Sequence, residues 1–194
     1  MLKYGTDKPD LRFDMSFIDF SDIASKTELK VFKSTLEQNG IIKGFTVPGG
    51  ASLSRKKIDS LTEFTISKGA KGLITIALID DEMNNSENLE VSNFKSNISK
   101  FLTLEQLINI SNIGKAQKGD LIVMIAGPEK ATNASLSALR NKLGNELSMA
   151  DPNMLAFAFV VDFPLFDYND DEKRWDATHH PFTMPKEKFY NSIE

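Results

Sequence analysis

The chain has 194 residues, of which 41% are hydrophobic and 26% charged, with a net charge of −4 and no cysteine. This is the composition of an ordinary folded domain; it excludes a disulfide framework, thiolate chemistry and a global basic field for gripping nucleic acid. No apolar run approaches the roughly 20 residues of a membrane-spanning helix, and the first residues, Met-Leu-Lys-Tyr-Gly-Thr-Asp, contain no apolar signal region.

Residues 1–20 carry turn chemistry rather than periodicity, with Gly5, Asp7, Pro9 and Asp10 close together. Such a segment makes no core alone and must dock on something. After Ser25 the pattern turns helical: Leu29, Phe32 and Leu36 recur at spacings of three and four, and Gly40 marks a stop. Ile41 to Val47 reads as a strand, closed by Pro48-Gly49-Gly50. Ser54 is the expected N-cap of a second helix to about Lys68, with Ile58, Leu61 and Thr65 on one stripe. Leu73 to Ile79 is a short apolar run between turn signals, hence a buried strand, and Asp80 to Glu90 is an acidic loop.

Thr103 is placed to cap a short helix through Ser111. Leu121 to Ala126 repeats the buried-strand signal. Pro128 then opens a long helix whose core face is marked by Leu136, Leu139, Leu143 and Leu147. Leu155 to Val161 reads as another strand, with Arg174 to His180 returning beside it and Asp167 to Lys173 as the turn between. The block 22–150 therefore has strands and amphipathic helices enough for a small domain of its own. Residues 1–21 and 151–194 look like two ends of an interrupted one, and the whole is expected to be a piece of a longer polypeptide.

Several segments, in order along the chain, resemble the bacterial-type aspartyl-tRNA synthetases, a class II family. They are Tyr4-Gly-Thr-Asp-Lys-Pro-Asp-Leu-Arg12, Val47-Pro-Gly-Gly-Ala-Ser-Leu-Ser-Arg-Lys-Lys-Ile-Asp59, Gly69-Ala-Lys-Gly-Leu73, Lys118-Gly-Asp120, Ala138-Leu-Arg140, Asp162-Phe-Pro-Leu-Phe166, Arg174-Trp175 and His179-His-Pro-Phe-Thr183. The resemblance implies that 1–21 enters, 22–150 forms, and 151–194 leaves the insertion known as the GAD domain, with the flanks belonging to the catalytic core. It further implies an α+β fold: a two-layer insertion domain with a mostly antiparallel sheet, plus antiparallel strands from an incomplete class II core. Antiparallel order comes from the resemblance alone, since strand–helix alternation by itself suggests a parallel sheet.

The activity so implied is activation of L-aspartate with ATP and transfer to tRNA(Asp), with ATP and Mg²⁺ as cofactors, in a cytoplasmic homodimer with no membrane partner. The resemblance implies that the ATP site, the dimer motif and the anticodon-binding domain of that family lie outside these residues. The fragment is therefore expected to contain no catalytic residue, to bind no cofactor and to be inactive alone. Whether tRNA(Asn) is also charged is not readable from these residues.

His179 and His180 are the only histidines, so no histidine- or cysteine-based metal site is available, and adjacent strand residues point to opposite faces. On residue spacing alone a structural role outweighs a functional one. The resemblance implies instead that both line the aspartate pocket, His179 as the substrate contact and His180 in the wall. Arg55, Lys56 and Lys57 are the candidate tRNA contacts, against the alternative of a solvated helix start. The insertion then either positions the tRNA acceptor arm or is a structural or protein-interaction appendage, and a basic face joining these three to Lys68 and Lys71 would favour the first.

Asp7, Lys8, Asp10 and Arg12 are better read as a turn whose ion pairs hold the entry segment than as a charged site. Asp167, Asp170, Asp171 and Glu172 lack calcium-loop spacing and fit a solvated turn. The loops at 48–52 and 127–131 carry neither dinucleotide nor P-loop patterns, and Gly49 and Gly50 fit a tight strand-to-helix turn.

Overall fold

The computed structural model describes residues 2–79, 90–161, 164, 166–169 and 172–178. The chain divides into two units, Met1–Phe157 and Ala158–Glu194. In the first, β1 (Ile18–Asp19) leads into α1 (Ser21–Ser25), α2 (Lys30–Glu37), β2 (Ile41–Val47), α3 (Arg55–Ser67) and β3 (Ile74–Leu78). Then come β4 (Phe94–Ser96), α4 (Leu104–Gly114), β5 (Leu121–Gly127) and α5 (Glu129–Glu146). The five strands lie in the order β1-β2-β5-β3-β4.

Every pairing in that sheet is antiparallel. The alternation of strands and helices suggested parallel pairing because β2 and β3, joined through α3, do run the same way. β5 enters between them and opposes both, pairing with β2 from Ile41↔Gly127 to Val47↔Leu121 and with β3 from Ile74↔Met124 to Ala77↔Leu121.

The α+β class and the antiparallel sheet agree with expectation, but the layer count differs. Phe45, Val47, Leu121, Val123 and Ile125 pack on one face against Leu61 of α3 and Leu136, Leu139 and Leu143 of α5. Ile42, Ile76, Ile122 and Met124 pack on the other against Ile23 of α1, Phe32 of α2 and Leu107 and Ile110 of α4. The sheet is thus the middle of three layers. All seven residues of β5 are buried, which is why its sequence is an unbroken apolar run: a strand covered on both faces has no position at which alternation pays.

Local signals place the helices. The Ser54 side chain accepts the Lys57 N–H at 3.3 Å, capping α3. Thr103 and Gln106 form a reciprocal capping box on α4, at 3.2 and 2.9 Å. On α5, Leu136, Leu139 and Leu143 are fully buried, whereas Leu147 follows the helix and is exposed. The short β1, α1 and β4 carry too few residues for any periodicity, and none was anticipated.

The entry segment docks on α5. Phe13 and Met15 join the core beneath it, and the Phe17 ring stacks on Phe45 with centroids 6.0 Å apart. Arg140, only 1% exposed, holds the segment by its backbone. Its Nη2 donates to the carbonyls of Asp10, Phe13 and Asp14 at 2.9, 2.7 and 2.8 Å, and Nε to that of Met15 at 3.1 Å. The guanidinium lies 4.5 Å from the Tyr4 ring centroid and 4.2 Å from that of Phe13, within cation–π reach of both.

In the second unit, β6 (Phe166–Asn169) and β7 (Arg174–Ala177) form an antiparallel hairpin with Tyr168 opposite Trp175, their rings edge to face at 5.3 Å. The strand β6 thus takes up residues expected in the turn. Arg174 to Ala177 pairs with β6, not with Leu155 to Val161 as expected. Residues 154–161 form no strand, and Leu155, Phe157 and Phe159 stand exposed. An apolar alternation specifies one face of a strand, but without a neighbouring ladder its backbone groups stay with water.

Candidate functional site

Three lysines and arginines in a row on a helix cannot share a face, because successive side chains turn by about 100°. Lys57 points toward α5, where its ammonium meets Glu146 at 2.7 Å, and Glu146 also holds Lys142 at 2.9 Å. Lys68 and Lys142 both lie over the Phe64 ring, 5.6 and 5.0 Å from its centroid. Arg55 turns the other way, onto the lining of a cleft, while Lys56 is exposed on the outer side of α3. Lys71 is exposed beyond the helix end. The basic residues are therefore dispersed round α3, and no single face joins Arg55, Lys56, Lys57, Lys68 and Lys71.

The hydrogen bond from Lys57, seconded by that from Lys142, holds the Glu146 carboxyl below the ordinary value of 4.5. A carboxyl with a lowered folded-state pKa adds stability that is complete above its unfolded value and fades as pH falls through the folded one. Glu146→Gln is therefore expected to lessen the fall in urea midpoint on acidifying below pH 4.5. A midpoint-versus-pH curve parallel to that of the unsubstituted chain would show that the contact carries no linkage. Asp10 behaves alike, held low chiefly by the hydrogen bond from Arg12, whose Nη2 lies 2.8 Å from its carboxylate. That pair supports the reading of the entry turn as structural.

The cleft, about 440 Å³, opens where α3 leaves β3 and the edge strand β4 uncovered. Ala77 and Leu121 form its floor, Leu53 and Ile58 one wall. Arg55, Asp59 and Lys95 stand on its rim, and none of the three is held in an ion pair among the described residues. The far wall is rigid: Asn97 accepts the Thr75 N–H at 3.1 Å and donates to the Leu73 carbonyl at 2.9 Å, fastening the end of β4 to β3. The approach to α3 is set by Gly49, whose φ of +68° suits the tight turn. Its N–H donates to Asp120 at 3.0 Å, tying that turn to the loop before β5.

Lys95 was not anticipated as a candidate, since Phe94-Lys-Ser96 is too short to announce a strand. The histidines His179 and His180 lie outside the described residues, as do Asp170 and Asp171. At the hairpin, Arg174 pairs with Glu172 at 2.6 Å and Asp176 at 2.9 Å. Among the described residues no group of three acidic, histidine or cysteine side chains is placed to hold a metal ion. No helix among them is long and apolar enough to cross a membrane.

The fold and its docked entry define an α+β module with a cleft at one sheet edge, apolar within and charged at its rim. A family model described as GAD domain matches residues 32–136, more than half of the chain, and the chain belongs to that family. Over all 194 residues it is 40% identical to the aspartate–tRNA(Asp/Asn) ligase of Thermoanaerobacter sp. (strain X514), covering 31% of that protein. It is 42% identical over 185 residues, 95% of its length, to the enzyme of that name from Dehalococcoides mccartyi, again covering 31%. An aspartate–tRNA ligase of Macrococcus caseolyticus is 41% identical over 195 residues, covering all of this chain and 31% of the relative. The chain thus spans about a third of the length of these curated relatives.

Proposed function

We propose that this chain is the GAD-bearing portion of an aspartate–tRNA ligase that activates L-aspartate with ATP and Mg²⁺ and transfers it to tRNA(Asp). The observation that carries this is the likeness at 40% identity to aspartate–tRNA ligases over the whole chain, flanks included. The exposed apolar segment at 154–161 supports it: Leu155, Phe157 and Phe159 present the kind of apolar surface that a further part of such an enzyme would cover. A cytoplasmic homodimer is the working form in this reading.

Within it, His179 contacts the aspartate substrate and His180 lines the pocket wall. Catalysis in such an enzyme rests on orienting reactants and stabilising developing charge, so loss of a positioning contact lowers turnover without abolishing folding. In the full-length ligase, His179→Ala is expected to raise the aspartate KM and lower kcat together, by about tenfold or more in kcat/KM. Steady-state aminoacylation kinetics unchanged by the substitution would remove the role. The chain alone is expected to show no aspartate-dependent exchange of pyrophosphate into ATP; measurable exchange would refute the assignment of the ATP-binding machinery to other parts of the polypeptide.

The insertion assists in positioning the tRNA acceptor arm. Two rim cations rather than a broad basic surface imply weak, salt-sensitive binding of tRNA(Asp) by the chain. The expected slope of log affinity on log salt is roughly −1 to −2. A second reading, that the insertion is a structural or protein-interaction appendage, is favoured by the net charge of −4 and by the commitment of Lys57 to Glu146. No binding at low salt would select it.

A further inference from the structure

We propose that the cleft between α3 and β4 is a binding site for a single unpaired ribonucleotide. The inference rests on the tRNA reading above for the source of that nucleotide, but its chemistry stands on the cleft. A volume of about 440 Å³ falls within the usual range for small-ligand sites. The floor is apolar, from Ala77 and Leu121, and accepts the face of a base. Arg55 and Lys95 flank the mouth as two cations with no ion pair among the described residues, where a phosphate lies as it leaves the cleft. Arg55 also offers a planar guanidinium, on which a base stacks. Asp59 is an acceptor on the same helix face, suited to a ribose hydroxyl or an exocyclic amine.

The wall opposite α3 is preorganised, since Asn97 bridges Thr75 and Leu73 with no ligand needed to order it. A stem helix does not fit a recess of this size, so the ligand is a splayed, unpaired base, the form in which RNA exposes its edges. An extended peptide adding to the sheet is disfavoured because β4 offers only three residues of edge.

The test titrates the full chain with AMP and with CMP, following backbone amide shifts, and measures binding of tRNA(Asp) in parallel. Nucleotide is expected to move the amides of Ala77, Ser96 and Asn97, and Thr62→Phe, which fills the cleft from α3, is expected to abolish this. The double substitution Arg55→Glu with Lys95→Glu is expected to weaken tRNA binding about tenfold. Lys68→Glu with Lys71→Glu, at the other end of α3, is expected to leave it nearly unchanged. The rim pair is exposed and carries the test should Thr62→Phe fail to fold.

Absence of nucleotide shifts, or equal tRNA affinity for the cleft variants and the unsubstituted chain, overturns the inference while leaving the tRNA reading intact. Failure of tRNA to bind while AMP still fills the cleft removes the tRNA reading and leaves the nucleotide site standing. Polyglutamate moving the same amides more strongly than AMP overturns the inference in favour of an acidic peptide.

Discussion

Arg140→Met is expected to lower the stability of the first unit by about 3 kcal/mol or more, because it leaves several buried carbonyls without their charged donor. Methionine follows the arginine chain only as far as Nε, so what is lost is the guanidinium, with its bonds to the Asp10, Phe13, Asp14 and Met15 carbonyls and its contacts with Tyr4 and Phe13. Hydrogen bonds to a charged donor contribute roughly 1.5–3 kcal/mol each, and each buried carbonyl left without a donor costs about 1–3 kcal/mol. These overlap heavily, because one Nη2 serves three carbonyls.

The cage also holds a strained residue. Met15 has φ of +73°, in the left-handed region that a long side chain seldom occupies, and its own carbonyl is the acceptor for Nε. Burial draws the Arg140 pKa below the ordinary arginine value, against the opposing pull of Tyr4, Asp10 and Asp14. It does so without neutralising a guanidinium. Arg140→Lys is expected to recover little, since an ammonium cannot span the four carbonyls. Urea denaturation gives the stability, and amide exchange at residues 10–17 locates the loss. A change below 1 kcal/mol with unaltered exchange there would show that Phe13 and Met15 hold the segment unaided.

Arg140 also marks where the sequence stopped being readable. Leu136, Leu139, Arg140 and Leu143 occupy positions i, i+3, i+4 and i+7, so the arginine sits inside the apolar stripe of α5. That position signals a buried cation with a specific set of acceptors, but not which ones, because the carbonyls come from more than 120 residues earlier. The same limit applies elsewhere. Ser54 and Thr103 announce their helices through a neighbour three residues on, and the unbroken run in β5 signals cover on both faces. The insertion of β5 between β2 and β3, the edge position of β4 and the pairing of Arg174 to Ala177 with β6 are long-range choices with no local mark. The cleft belongs to that second kind. Arg55 and Lys57 are two residues apart in sequence yet lie on nearly opposite sides of α3, and Lys95 reaches the rim only through the order of the strands.

Gly44→Val is the other substitution expected to act severely, destabilising the first unit by about 3 kcal/mol or more through overpacking. Gly44 lies in the middle of β2, paired with Met124 of β5 on one side and Ile18 of β1 on the other. A Cβ there would run into the Val123 carbonyl, with the Met124 Cγ at 2.8 Å and its Cα at 3.0 Å. Two of those three atoms are backbone of the central strand, and the Met124 side chain is itself fully buried. No rotamer change relieves the collision, so β2 must lift from β5, and both cores, one on each face of that strand pair, open together.

Gly72→Ala provides the contrast. A Cβ at Gly72 meets nothing within 4 Å, and its φ is not in the left-handed region, so the substitution is expected to be neutral or to add up to about 1 kcal/mol by restricting the unfolded chain. Both are read from urea midpoints at constant slope. Equal midpoints for the two variants would mean that the β2–β5 pairing yields locally, and that the two cores are not joined through this strand pair. A large loss confined to Gly44→Val makes this close backbone approach the point on which the three layers depend.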